Sequence, residues 1–143
     1  MERRAIADLI LAFEAAMPGH DAKAQAEFHT ANGVWQSPAS GKVVGRTAIE
    51  RNYRYWFEAF PDLMLDLQEM LIDGQSAVAF WVLKGRQEGP FFGLDGVGER
   101  VEVPIAMVLE FADDGIAFLQ SFYDFSGLLL KTGALKVAEP KKP

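Results

Sequence analysis

The 143-residue chain has no cysteine, which excludes disulfides, thiolate nucleophiles, iron–sulfur clusters and thiolate zinc sites together. It has two histidines, His20 and His29, nine residues apart with Asp21 and Glu27 nearby. That spacing matches no metal-ligand pattern, so no metal is expected. No uncharged apolar run approaches the roughly 18 residues that a membrane span needs. The opening Met1-Glu2-Arg3-Arg4 lacks the apolar core and cleavage site of a secretory leader, so a cytoplasmic protein with no membrane partner is expected. Basic charge is also scarce: 14 Lys and Arg stand against 20 Asp and Glu, a formal net charge of −6. The basic doublets Arg3-Arg4 and Lys141-Lys142 lie at the ends, which leaves no footprint for a nucleic acid. A glycine-rich phosphate cradle is missing too, because Gly93, Gly96 and Gly98 suit turns.

What remains is apolar and aromatic. Half the residues are hydrophobic and 24% are charged, enough for one domain with its own core. That domain is expected over residues 1–137, with 138–143 as a loose tail. Aromatic residues make up 12% of the chain, eleven Phe, three Trp and three Tyr. They suit either a core or the lining of an apolar pocket.

Periodicity places the elements. Ile6, Leu9, Ile10, Phe13 and Met17 fall at helical spacing, and Pro18-Gly19 stops the run. Asp21 is positioned to cap a shorter helix running to about His29. Thr47-Ala48-Ile49-Glu50 has capping-box spacing and opens a helix carrying Ile49, Tyr53, Trp56, Phe57 and Phe60, ending before Pro61. Two short strands, 33–36 and 42–45, lie between these helices. After Pro61 the period becomes two, with Leu63, Leu65, Leu67 and Leu71 expected on one face. Asp73-Gly74 and Asp113-Asp114-Gly115 mark turns between long strands over 77–88, 100–111 and 116–124. A last helix covers 126–131. Strands grouped after helices predict an α+β domain: three N-terminal helices on a curved, mainly antiparallel sheet. Such a sheet makes a cone with one open end, where a small ligand would bind.

Several segments resemble one family. Ala59-Phe60-Pro61-Asp62-Leu63, Ile72-Asp73-Gly74, Gly85-Arg86-Gln87-Glu88-Gly89-Pro90-Phe91-Phe92-Gly93 and Tyr123-Asp124-Phe125 with Thr132-Gly133 look like the SnoaL-like polyketide cyclases. These belong to the nuclear transport factor 2-like superfamily, a cone-shaped α+β fold that also hosts ketosteroid isomerases and limonene epoxide hydrolases. The resemblance implies proton transfer on a small hydrophobic carbonyl compound without cofactor or metal. It also implies that the Asp in the C-terminal motif, here Asp124, acts as general acid and base.

The residues themselves allow that role. Phe118, Gln120, Phe122 and Asp124 share one face of the last strand. If that face lines the cone, the carboxyl sits among apolar groups, where a carboxylic acid holds its proton to near neutral pH. The same residue could instead cap the helix near Ser126. Gln87 stands where many relatives carry His; an amide cannot exchange a proton near pH 7, though it can orient a carbonyl. Ser37-Pro38 stands where ketosteroid isomerases place their base, which argues against steroid isomerisation. Trp35, Tyr53, Trp56, Phe57, Met107 and Phe122 are the remaining candidates to touch a ligand, Tyr53 through its hydroxyl. Two alternatives stay open: a non-catalytic binding protein of this fold, and epoxide hydrolysis by Asp124 with Arg86. The sheet is too broad for one helical layer to cover both sides, so a homodimer through its open face is expected.

Overall fold

The computed structural model describes residues 1–136 and 138; all but Ala138 of the expected tail lies outside them. Helix α1 (Arg3–Ala16) buries the stripe Ile6, Ile10 and Phe13 against the sheet. A 3₁₀ turn, Met17–Gly19, ends in His20 in the left-handed conformation, φ 48°. Asp21 caps helix α2 (Ala22–Ala26), accepting the Ala24 N–H at 3.1 Å. That helix is shorter than expected, and His29 opens a strand instead of closing a helix.

Strands β1 (His29–Ser37) and β2 (Gly41–Val44) form a hairpin. Helix α3 (Arg46–Ala59) follows, burying Ile49, Tyr53, Trp56 and Phe57. Its N-cap is Gly45 and not Thr47, so the expected capping box does not form. The Gly45 N–H is still donating to the Gly33 carbonyl at 2.8 Å. At φ 92° the glycine then turns the chain directly into the helix, before Thr47 can act.

Strands β3 (Met64–Asp73), β4 (Ser76–Arg86), β5 (Arg100–Ala112) and β6 (Gly115–Phe122) form an antiparallel meander. Helix α4 (Phe125–Lys131) follows it. The six strands make one sheet in the order β2-β1-β6-β5-β4-β3, with β1 parallel to β6 and every other pair antiparallel. The α+β cone is therefore the architecture, with helices packed on the concave face of a curved sheet.

Parity decides which side chains reach the core. On β5, Val101, Val103, Ile105, Met107, Leu109 and Phe111 point inward, and on β4 Ala77, Ala79, Trp81 and Leu83 do the same. The expected single face of β3 is broken by a bulge between Leu67 and Glu69, which shifts its register against β4. One extra residue reverses every later side chain. Leu65 is therefore buried while Leu71 is 56% exposed, and Met70 and Ile72 take the inward positions.

The β1–β6 junction needs close backbone approach. The Ile116 N–H donates to the Phe28 carbonyl at 2.9 Å. A Cβ on Gly115, at φ 143°, would stand 2.5 Å from that oxygen, so only glycine fits there.

Candidate functional site

Inside the cone lies an apolar cavity with a free volume of about 40 Å³, room for roughly two or three waters. Its wall includes Phe13, Met17, Trp35, Ser37, Tyr53, Trp56, Leu65, Ile105, Met107, Leu119, Ser121 and Tyr123. Three elements converge on it. Strand β1 supplies Trp35 and Ser37, α3 supplies Tyr53 and Trp56 one turn apart, and β6 with the residue after it supplies Leu119, Ser121 and Tyr123.

Polar groups are few and buried. Tyr53, 4% exposed, places its hydroxyl 2.7 Å from Nε2 of His29, which is fully buried behind it. The Tyr53 ring packs 4.4 Å from Trp35 and stacks on Phe57 at 6.1 Å, so its orientation is fixed. Among the described residues His29 Nδ1 has no partner. The Arg46 guanidinium donates to the His29 backbone carbonyl at 2.7 and 3.0 Å. Burial, and then the nearby positive charge of Arg46, lower the His29 pKa to about 4. The imidazole is therefore neutral at physiological pH. Burial likewise raises the Tyr53 phenol well above its usual range. Tyr123 is raised by burial, with Ser37 and the Ala39 backbone opposing, yet no well-formed hydrogen bond reaches its buried hydroxyl. Trp35 Nε1–H donates to Ser121 Oγ over a long 3.4 Å.

The candidates from the sequence divide. Trp35, Tyr53, Trp56 and Met107 lie on the cavity wall. Phe57 is buried beside it, between Tyr53 and His20. Asp124 lies outside. It is exposed, accepts the Gly127 N–H at 2.8 Å as the N-cap of α4, and borders a separate surface hollow with Pro104 and Lys131. The reason is parity: Leu119, Ser121 and Tyr123 face inward, and Phe118, Phe122 and Asp124 do not. Phe122 is accordingly 49% exposed. Gln87 is buried but faces the following loop, where its Nε2 donates to the Gly89 and Leu94 carbonyls at 3.1 and 2.7 Å. Arg86 is exposed at the end of β4, so the Arg86–Asp124 arrangement for epoxide hydrolysis does not assemble in the cavity. His29, Ser121 and Tyr123 are the residues that the sequence reading passed over. Counting parity from Trp35 across the parallel β1–β6 pair would have found the last two.

Among the described residues no group of three or more His, Asp or Glu is placed to hold a metal, and no helix is long and apolar enough to cross a membrane.

The model of the SnoaL-like polyketide cyclases matches residues 7–131. The chain belongs to this family. Among solved structures, TsrD from Streptomyces laurentii is 26% identical, with a TM-score of 0.81 over 94% of this chain and 99% of that one. A candidate SnoaL-like polyketide cyclase from Jannaschia sp. CCS1 is 22% identical, with a TM-score of 0.81 over 91% and 92%. A protein of ketosteroid isomerase-like fold from Catenulispora acidiphila, solved with trimethylamine, is 20% identical, with a TM-score of 0.78 over 89% and 93%. The chain has the nuclear transport factor 2-like, ketosteroid isomerase-like fold. No curated protein matches the chain.

Two outcomes follow from this geometry. Between pH 6.5 and 4 the unfolded chain protonates His29 while the folded chain does not, so stability present above pH 6.5 falls as pH drops. The loss attributable to His29 is on the order of 3 kcal/mol and levels off below about pH 4. An NMR titration of the His29 ring should show it neutral down to about pH 4. Asp124→Ala should lower stability in urea by about 1 kcal/mol through loss of the cap, while ligand affinity measured by calorimetry stays unchanged.

Proposed function

We propose that the cavity binds a small hydrophobic carbonyl compound and that Tyr53 activates its carbonyl oxygen, in proton-transfer chemistry of the cyclase or isomerase type. The observation that carries this reading is the buried Tyr53 hydroxyl, backed by His29 in an otherwise apolar wall. The neutral imidazole has one proton to place. On Nδ1 it would be a buried N–H with no acceptor, since that atom has no partner among the described residues. On Nε2 it donates to the Tyr53 oxygen, and only an acceptor lone pair goes unmet. Buried N–H donors are almost always satisfied, so the second arrangement is favoured. The Tyr53 O–H then remains free to donate into the cavity.

A donor held this way stabilises charge that develops on an enolate oxygen, and apolar walls strengthen the effect. Among the described residues no carboxylate lines the cavity. The substrates that fit are those whose C–H is already acidic because carbonyls flank it, as in polyketide-like chains. A water accepts the carbon-bound proton while the enolate oxygen is held by Tyr53. The enolate carbon then either takes that proton back at a new position or attacks a second carbonyl of the same compound, whose C=O π electrons move to its oxygen, which takes up the proton. Ligand pockets usually offer about 300–1,000 Å³, far more than the free space here. The ligand is therefore small, and Met17 and Met107 give way by changing rotamer.

The missing carboxylate also favours a second reading, a binding protein that holds such a compound without turnover. Acetophenone and a diketone separate the two. The acetophenone carbonyl stretch should shift to lower frequency on binding, and Tyr53→Phe should remove the shift and weaken binding about tenfold. An unshifted band in the wild type overturns the Tyr53 assignment. Loss of deuterium from the central carbon of labelled 1-phenylbutane-1,3-dione, faster than in buffer alone, supports turnover, and binding without faster exchange supports the second reading.

We also propose that the outer sheet face pairs with a second copy. Phe80, 38% exposed, forms a row with Ala106 and Phe122, beside half-buried Val78 and Val108. The same patch on both copies suits a two-fold interface. Sedimentation velocity should give twice the chain mass, and Phe80→Glu should return the monomer.

A further inference from the structure

Tyr53, backed by His29, is one hydroxyl of the cavity wall. Along β1 the order is His29, Trp35, Ser37, and along α3 it is Tyr53, then Trp56 one turn on. Both lead to Tyr123. Its ring lies 6.2 Å from Trp56, and Ser37 lies close enough to influence its ionisation. Tyr123 is on the cavity wall, and its buried hydroxyl makes no hydrogen bond of good geometry among the described residues, with Ser37 and the Ala39 backbone beside it. Ser37 Oγ is held at the β1–β2 turn, 2.8 Å from Ser40 Oγ, and accepts the Ser40 N–H at 3.1 Å. Tyr53 packs on Trp35 and Tyr123 lies against Trp56, so two hydroxyl-bearing rings and two indoles share a wall that is otherwise mostly apolar.

A buried phenol without a partner destabilises the protein unless something in the cavity meets it. Burial keeps that phenol protonated, so it is a donor, and the neighbouring Ser37 hydroxyl can donate or accept. Indole walls beside the two hydroxyl-bearing rings favour a flat ring. From this placement we infer that Tyr123 sets ligand specificity: it selects a planar ring compound bearing a second oxygen, hydroxyl or carbonyl, across the ring from the activated carbonyl. The inference rests on the assignment of that first carbonyl to Tyr53.

Acetophenone and 4′-hydroxyacetophenone test it, since they differ only by an oxygen across the ring from the ketone. By calorimetry the wild type should bind the hydroxy compound about tenfold more tightly, the effect of one good hydrogen bond. Tyr123→Phe should erase that preference, bringing the ratio of the two affinities to about one, and melt no lower than the wild type because it removes an unmet hydroxyl. Tyr53→Phe should weaken both compounds by the same factor. Equal wild-type affinities would mean that an ordered water alone serves Tyr123, and would overturn the inference, as would a preference that survives Tyr123→Phe. If Tyr53→Phe leaves acetophenone binding intact while Tyr123→Phe still erases the preference, the Tyr53 assignment falls and the selection by Tyr123 stands. If the wild type binds neither compound, both fall.

Discussion

The parallel pairing of β1 with β6 is the constraint on which the site depends. It joins an early segment to the end of the meander, and it fixes which side chains of both strands face the helices. With Trp35 opposite Leu119 in that register, Ser37 and Ser121 become neighbours on the inner face. Tyr123 continues the row just past the strand. Helix α3 then lays Tyr53 and Trp56 over the same row, so one backbone registration assembles groups distant in sequence. Without it there is a sheet and a helical layer, but no shared hollow.

The fold was largely legible because its signals are redundant. Helical stripes such as Ile6–Ile10–Phe13 and turn pairs such as Asp73-Gly74 each mark an element independently. The site was less legible because it depends on parity, and parity is lost by one residue. Asp124 and Phe122 looked like cavity residues when counted by twos from Phe118, yet the inner face of β6 carries the odd-numbered set. The bulge after Leu67 did the same to Leu71. Alternation shows that two faces exist; only cross-strand register shows which is inside. His29 was misplaced for another reason. A short helix leaves little periodic signal, so its end at Ala26 could not be told from an end at His29.

The electrostatics follow from the same packing. A neutral, buried imidazole behind a phenol is an unusual pair to keep in an apolar core, since each polar atom there needs a partner. Among the described residues the structure meets that need incompletely, leaving Gln25 Oε1, His29 Nδ1, Trp81 Nε1, Gln87 Oε1 and the Tyr123 hydroxyl unmatched. An apolar core would be simpler to fold, and of these atoms the Tyr123 hydroxyl belongs to a residue of the cavity wall, which directs attention to what the cavity holds.

Gln87 has a consequence for the segment joining β4 to β5. Its amide donates to two carbonyls within that segment, Gly89 and Leu94, and a Cβ on Gly96 would press on its side chain at 2.9–3.0 Å. The turn is thus wound around a single side chain, as thread is around a spool. Its composition can drift, but its length cannot: one inserted residue between Gly89 and Leu94 would carry one of the two oxygens out of reach and release the coil.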